Sequence, residues 1–126
     1  MKYLIAAPLI IVGIIHLLPV SGVSGVRSLA SLYGIALDEP SLTVLMRHRA
    51  VLFGLLGAFL IYAAFDARLQ PLGYIAGLVS VGACMYLACS TGHRTAQLWR
   101  VVLIDVLATV ALVIGAGARC WQAYAA

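Results

Sequence analysis

The sequence predicts an all-α protein: an integral membrane, up-down four-helix bundle in a single transmembrane domain over 1–126, with a short interfacial helix between spans 1 and 2. The first observation is composition, because the 126 residues are 64% hydrophobic and 10% charged, with a mean hydropathy of +1.10, as is typical of membrane proteins. The second is the presence of four apolar runs, each near the roughly 20 residues that cross a bilayer. The third is the shortness of the polar segments between them, which leaves no room within these residues for a soluble catalytic domain.

Span 1 is expected over about 3–20. Its lysine and long apolar run could be mistaken for a signal peptide, but we expect the segment to remain as the first membrane helix, closed by Pro19. The next segment, 21–40, is richer in glycine, serine and charge. Apolar residues at helical spacing over 26–33 predict the interfacial helix there, and an ordered loop is the alternative.

Span 2 is expected over about 42–65. Two acidic residues and a proline precede it, and Ser41 is the expected hydroxyl cap, a combination that favours a helix start. Small residues on one face of this span predict that another helix approaches closely. Those residues are Ala50, Gly54 and Ala58.

Two arginines of span 2 are expected on opposite faces. Arg47 lies seven residues before Gly54, about two helical turns, so it shares the small-residue face. We therefore expect Arg47 to point into the bundle. Arg49 is expected to point at lipid or to reach the headgroups. Its neighbours on that side are Phe53, Leu56 and Leu60.

Spans 3 and 4 are expected over about 72–89 and 98–116. In span 3, Gly73 and Gly77 form a GxxxG pair, which is typical of closely packed helices. Trp99 and Trp121 frame span 4 and are 22 residues apart, about 33 Å at the helical rise of 1.5 Å per residue. That separation matches an aromatic belt at each membrane interface.

The three cysteines are expected to be small apolar packing residues. They are Cys84, Cys89 and Cys120, and none belongs to a CxxC pair. The first two are five residues apart, about 140° around a helix, so they cannot share a metal on one face or form a disulfide within it. Because no carboxylate or cysteine stands at ligand spacing from a histidine, a zinc site is not expected either.

Polar residues inside or beside the spans are expected to gather at one end of an up-down bundle. They are His16, Arg47, His48, His93, Arg94, Arg100 and Asp105. Asp105 lies six residues inside Trp99, about 9 Å, where an unpaired carboxylate would cost a few kcal/mol. Arg100 points about 140° away from it. We therefore predict an interhelical ion pair between Arg47 and Asp105, with His16 or His48 beside it.

This cluster predicts a one-ended polar pocket that binds a lipid, a quinone or a similar amphiphile, as in an accessory or binding module. The expected ligand-binding residues are Arg47, His48, His16, Asp105, Arg100 and His93. No catalytic residue or metal ligand is assigned. Three alternatives stay open: an ion pair that only fixes helix register in a structural subunit of a larger complex, a membrane enzyme that uses histidine and aspartate as acid and base, and haem b held by His16 and His48.

The expected partners follow from the same composition. Membrane lipids are the first, because the net charge of +4 suits anionic headgroups; a homo-oligomer or a larger membrane complex is also open. The eight lysines and arginines are scattered, so nucleic acid is not an expected partner.

A raw count of positive charges places the first and third connections in the cytoplasm, but the count reverses if the arginines inside helices are left out. We expect both termini to be cytoplasmic.

Three stretches carry a resemblance to a known group of proteins: GIIHLLPVSGV, then LMRHRAVLFGLLGAFLIYAAF, then LQPLGYIAGLVSVGA. They resemble small bacterial four-helix inner-membrane proteins of unassigned function, over most of the chain and most specifically at RHRAVLFGLLGAF. The chain is also loosely similar to DoxX-like proteins in its length and in the histidine late in span 1. The resemblance implies a bacterial inner-membrane location.

Some members of that group carry an automatic label of phosphopantetheine adenylyltransferase. Those soluble enzymes place a TxGH-type motif at a helix start beside a parallel sheet. The nearest counterpart here is Ser90-Thr91-Gly92-His93, which lies between two predicted membrane helices with no βα unit around it. The sequence therefore does not support that activity.

Overall fold

The computed structural model of the protein describes residues 1–24, 39–92 and 95–125. These residues form four α-helices, and a 3₁₀ segment follows the first of them. All four α-helices are long and apolar enough to span a membrane. The prediction of an all-helical chain with four such helices is confirmed. The predicted interfacial helix over 26–33 lies outside the described residues. In chain order the elements are α1 (Lys2–Leu17), the 3₁₀ segment (Leu18–Ser24), α2 (Pro40–Phe65), α3 (Gln70–Ser90) and α4 (Ala96–Tyr124).

The first helix ends earlier than the sequence predicts, at Leu17. Pro19 has no N–H to donate to the turn before it, which removes one α-helical hydrogen bond and favours the end of the α-helix here. The chain tightens into the 3₁₀ segment instead, as is common at helix ends.

Helices α2 and α4 differ in how their N-termini are capped. Helix α2 begins at Pro40 with Glu39 at the cap position and no side-chain cap bond, so the expectation that Ser41 caps this helix is wrong; the proline in the first turn is confirmed. Thr95 caps α4, its hydroxyl oxygen accepting a hydrogen bond from the backbone N–H of Leu98 at 3.2 Å. Helix α4 continues to Tyr124, past the predicted end, because helicity does not stop where hydrophobicity falls.

Each helix packs mainly against two others: α1 and α3 both lie against α2 and α4. The core fills the space between them and contains aliphatic side chains with a single buried tyrosine among the described residues. The buried core residues are Ile5, Leu9, Val12, Leu60, Ala64, Tyr74, Val81, Ala108 and Leu112.

The closest helix crossing joins α1 and α2 at two glycines. A Cβ atom added to Gly57 would lie 2.6 Å from the carbonyl oxygen of Gly13, so only glycine allows this approach. The predicted small-residue face is only partly correct. Ala50 is buried and Gly54 packs against Val20 of the 3₁₀ segment, whereas Ala58 is exposed. Close approach at Gly73 and Gly77 is confirmed, since a Cβ at either would meet another helix within 3.1 Å.

Tyr74 joins α3 to α1 by a hydrogen bond, its hydroxyl donating to the carbonyl oxygen of Ile5. Replacing Tyr74 with phenylalanine should lower the free energy of unfolding by about 0.5–1.5 kcal/mol, the usual range for one such bond. Tyr62→Phe is the matched control, because Tyr62 is 64% exposed and should show no measurable change. Unfolding by SDS in mixed micelles, followed by circular dichroism, compares the two; equal midpoints would contradict the assignment of this bond.

Candidate functional site

A partly open cavity of about 170 Å³ lies among the four helices. Its walls come from the C-terminal parts of α1 and α3 and the N-terminal parts of α2 and α4, together with the first residues of the 3₁₀ segment. Seven of the twelve lining residues are apolar, and one of these seven is Phe53. The polar side chains that reach the cavity are His16, Arg49, Ser80, Cys84 and Asp105.

His16 is 5% exposed and both ring nitrogens have partners. Nδ1 lies 2.9 Å from the carbonyl oxygen of Val12, and because a carbonyl only accepts, Nδ1 must carry a hydrogen. Nε2 lies 3.0 Å from the hydroxyl oxygen of Ser80. In the neutral imidazole Nε2 is then the acceptor and the Ser80 hydroxyl donates to it. The histidine thus connects α1 to α3 at the cavity wall.

Phe53 organises the α2 side of the cavity. Its ring meets the His16 ring edge-on, with centroids 5.4 Å apart and an interplanar angle of 64°, a favourable geometry for two aromatic rings. The guanidinium carbon of Arg49 lies 4.9 Å from the centroid of the same ring, within the range of a cation–π interaction. Phe53 therefore holds both the histidine and the arginine in place.

Asp105 is 8% exposed and lies on the α4 wall. The Cys84 thiol of α3 lies beside its carboxyl group, and Arg49 and His16 lie close enough to interact with its charge. Among the described residues no buried side-chain nitrogen or oxygen lacks a hydrogen-bond partner. The cost of placing a carboxyl group at this depth is therefore offset by a thiol, a guanidinium and an imidazole around it.

The predicted ion pair between Arg47 and Asp105 is wrong. Arg47 is exposed, and its Nε donates to the carbonyl oxygen of Val23 at 3.0 Å. The prediction that Arg47 shares a face with Gly54 is consistent with this geometry, but that face packs on the 3₁₀ segment rather than on α4. Arg49, which was expected to point at lipid, lines the cavity and is the arginine that interacts with Asp105.

The other predicted site residues divide into three groups. His16 and Asp105 line the cavity, as the polar cluster predicted. His48 and Arg100 are exposed on the bundle surface. His93 lies outside the described residues, and so does Arg94.

Ten of the twelve cavity residues were not among the predicted ligand-binding residues. Four of these ten carry a polar or aromatic side chain: Arg49, Phe53, Ser80 and Cys84. For two of them a signal was present in the sequence. Ser80 and Cys84 are four residues apart and continue the inward face that begins with Gly73 and Gly77. Following that face toward the end of α3 would have placed a hydroxyl and a thiol beside the polar end of the bundle. The expectation that Cys84 only packs did not include its position in the cavity wall beside Asp105.

The positions of His16 and His48 are relevant to the alternative that these two histidines hold a haem. His16 would have to release Ser80 before Nε2 could bind iron, and His48 is exposed on α2 rather than in the cavity wall. Ligation of haem b by these two histidines stays a prediction. Over 1–24, 39–92 and 95–125, no group of three or more histidine, cysteine, aspartate or glutamate side chains is arranged to hold a metal ion. Cys84, Cys89 and Cys120 are free thiols.

The arrangement combines a small, mostly apolar cavity with two pairs of polar side chains: the hydrogen-bonded imidazole and hydroxyl of His16 and Ser80, and the neighbouring thiol and carboxyl group of Cys84 and Asp105. Such a site can orient the polar head of an otherwise apolar molecule, because a few convergent polar groups in an apolar pocket fix a ligand's orientation. It also places a possible base and a possible acid in one enclosure.

Comparison with known proteins yields no relative from which a function could be transferred. No protein-family model matches the chain, no curated protein matches it, and no solved structure matches it. A function can therefore be inferred only from the geometry of the cavity.

Proposed function

We propose that this chain is a multi-pass membrane protein, threaded up and down through the bilayer, that binds the polar head of an amphiphile such as a quinone or a lipid in the cavity beside His16 and Asp105. It would act as an accessory or binding module. Placement in a bacterial inner membrane with both termini in the cytoplasm, and kinship with the small bacterial four-helix proteins that it resembles, belong to the same proposal.

The outer surface of the bundle supports membrane insertion. Large apolar side chains on the outer faces of the helices are more than half exposed, as expected where lipid replaces water. Trp99 and Trp121 are both exposed near the two ends of α4, where interfacial tryptophans belong. The turn between α2 and α3 spans only 66–69, which favours reversal of direction. Examples of the exposed apolar side chains are Leu55, Ile75, Val79, Leu107 and Val113.

The single observation that carries the binding proposal is the cavity itself. Its volume of about 170 Å³ is close to the roughly 150 Å³ of an engineered protein cavity that holds benzene, so one six-membered ring or a head group of that size fits. Two of its lining residues, Leu18 and Ile104, are exposed on the outside of the bundle. An apolar tail could therefore leave the cavity at the level where lipid chains would lie.

Blocking the cavity tests the proposal. The wild-type protein, extracted in mild detergent, should carry one discrete small molecule in native mass spectrometry. Cys84→Phe places a ring inside the cavity and should raise the dissociation constant by about fivefold to 150-fold, as expected for about 1–3 kcal/mol of steric cost, so less of the protein should carry the molecule. Ala83→Phe is the matched control, because Ala83 is exposed on the same helix and should retain the molecule.

Folding must be separated from occupancy in this experiment. Circular dichroism and size-exclusion chromatography report whether Cys84→Phe is folded, and Ser80→Leu obstructs the same wall with a smaller side chain if it is not. A wild-type protein without any bound molecule, or equal loss from the Ala83 control, would overturn the binding proposal.

A second candidate function is an enzyme that uses acid–base chemistry on a lipid-soluble substrate. The observation that favours it is that His16 and Asp105 reach the same cavity. Once the bound molecule is identified, incubation with wild-type protein and with Asp105→Asn distinguishes the two functions. Conversion by the wild type alone indicates an enzyme, whereas an unchanged ligand indicates a binding module. A purely structural subunit would carry no discrete molecule and would copurify with partner proteins.

A further inference from the structure

We infer that the cavity opens sideways, between the 3₁₀ segment and α4, and that this opening holds the hydrocarbon chain of a ligand whose ring-sized head lies beside His16 and Asp105. The ligand then belongs to the alkyl-substituted single-ring amphiphiles and enters from the surrounding lipid. Both the position of the chain and the route of entry rest on the proposed binding function. The lateral opening is defined by Leu18, Pro19, Val101 and Ile104.

Pro19 is the point at which the chain leaves α4. Helix α1 packs along α4, but the 3₁₀ segment that follows α1 packs on α2. Two contacts hold the segment there: Val20 lies against Gly54, and the carbonyl oxygen of Val23 accepts a hydrogen bond from Nε of Arg47. Because the proline removes one α-helical hydrogen bond and favours the end of α1, the wall that α1 provides beside α4 stops at this level.

The level at which α1 ends can be measured against α4. A Cβ atom on Gly115 would lie 2.9 Å from Cγ of Pro8, and the C-terminal part of α1 meets the N-terminal part of α4 at the cavity. Pro19 is 11 residues after Pro8, and Ile104 is 11 residues before Gly115, so these two residues lie at about the same height. Helix α4 extends eight residues beyond that level, to Ala96, about 12 Å, and α1 does not follow it.

The exposure of the cavity walls shows where the opening lies. Of the twelve lining residues, two are exposed, Leu18 at 59% and Ile104 at 40%, and they lie on the two sides of the gap that follows Pro19. Both are apolar. His16 and Asp105 are only 5% and 8% exposed. The cavity is therefore polar at its inner end and apolar at its mouth, which suits a polar head that carries a hydrocarbon chain.

In the proposed membrane placement the lateral opening faces lipid chains. Trp99 is exposed near the start of α4, where an interfacial tryptophan belongs, and Ile104 lies five residues further along the helix, about 7.5 Å deeper. A hydrocarbon chain in the opening exchanges lipid neighbours for Leu18 and Ile104, which are equally apolar. The chain therefore adds little affinity of its own, but it must pass through this gap whenever the head is bound.

Photolabelling locates the chain. The probe is 4-octylphenol with a diazirine at the fourth carbon of its chain, added to the full protein in nanodiscs; light releases N₂ and leaves a carbene that inserts into the nearest side chain. We expect label on the peptides that carry Leu18 and Ile104, and about a tenfold excess of unmodified 4-octylphenol should lower it by about tenfold, as competition for one site requires. Val113, exposed on the same helix, is the internal control, because label there comes from probe dissolved in the bilayer and should not respond to the competitor.

Variants on the two sides of the opening test its part in binding. Ile104→Trp narrows the gap and should raise the dissociation constant of 4-octylphenol at least about fivefold, the ratio that corresponds to roughly 1 kcal/mol of steric cost. The same variant should bind 4-methylphenol as the wild type does, because that probe has no chain to accommodate. Leu103→Trp is the matched control, since Leu103 is 55% exposed and points about 200° away from Asp105. Native mass spectrometry measures all the constants, with each probe expressed as its mole fraction in the bilayer.

The outcomes separate the lateral opening from the function on which it rests. Leu18→Trp obstructs the same gap from the other side and provides the test if circular dichroism shows that Ile104→Trp does not fold. Label that responds to the competitor elsewhere on the bundle, or unchanged binding of 4-octylphenol in both variants, overturns the lateral opening and leaves amphiphile binding in place. A change of oligomeric state alone in Ile104→Trp also overturns it, because a second copy then covers the gap. Absence of binding by both phenols, together with a wild-type protein that carries no copurifying molecule, overturns the proposed function itself.

Discussion

Gly57→Val is expected to lower the free energy of unfolding by about 2–3 kcal/mol, the upper part of the range for overpacked sites. Its Cβ would lie 2.6 Å from the carbonyl oxygen of Gly13 and 3.2 Å from the backbone nitrogen of Leu17. Neither atom can turn aside as a flexible side chain can, so α1 and α2 would have to separate. Separation would also disturb the cavity, because the same two helices supply His16 and Phe53.

Gly82→Val is the matched control for this prediction. Nothing lies within 4 Å of a Cβ built on Gly82, and valine has a somewhat better helix propensity than glycine. We expect the control to unfold within about 0.5 kcal/mol of the wild type or to be slightly more stable. SDS-induced unfolding in mixed micelles measures both proteins. If Gly57→Val unfolds at the same midpoint as the control, the close crossing of α1 and α2 is not present in the folded protein.

Leu112→Ala is expected to produce a destabilisation of similar size, about 2–3 kcal/mol, at the low end of the range for buried leucines. Leu112 is 0% exposed, and its side chain fills the space over Gly77. With the helices in a bilayer, as proposed, the gain from removing apolar surface from water would be small, so most of the loss would come from van der Waals contacts across the void that alanine leaves.

Leu107→Ala isolates that packing contribution. Leu107 is on the same helix and is 66% exposed, so its truncation changes only the outer surface of the bundle and leaves the core intact. The free energy of unfolding should change by less than about 0.5 kcal/mol. The same unfolding assay compares the two leucine variants, and comparable losses from both would show that Leu112 does not pack in the core as described.

Several elements of the fold could be predicted without coordinates because they depend on local sequence. Four apolar runs of sufficient length become four helices. Pro40 lies in the first turn of α2, and the GxxxG pair of α3 lies in close contact with neighbouring helices. His16 and Asp105 were predicted to belong to one polar site for a similar reason. A titratable group inside an apolar helix needs partners, and the order of the helices limits where those partners can be.

The choice between Arg47 and Arg49 could not be made in this way. Helix α2 is apolar on every side, so periodicity does not distinguish the face that packs from the face that meets lipid. The small residues offered the only guide, and they indicated the wrong neighbour: Gly54 marks contact with the 3₁₀ segment, whereas Gly57 marks the crossing with α1. Arg47 and Arg49 are two residues apart and therefore point about 200° away from each other. The rotation of α2 about its axis decides which of the two faces the cavity.

By itself the sequence determined that the chain is helical, that four helices can span a membrane, and that His16 and Asp105 need polar surroundings. These properties follow from hydrophobicity and from the cost of burying charge, which act on each segment separately. Only the tertiary structure decided that Arg49 and Phe53, together with Ser80 and Cys84, provide those surroundings. The physical reason is that lipid and protein interior are equally apolar, so the rotation of each helix is set by close packing between helices, at contacts such as Gly13 with Gly57.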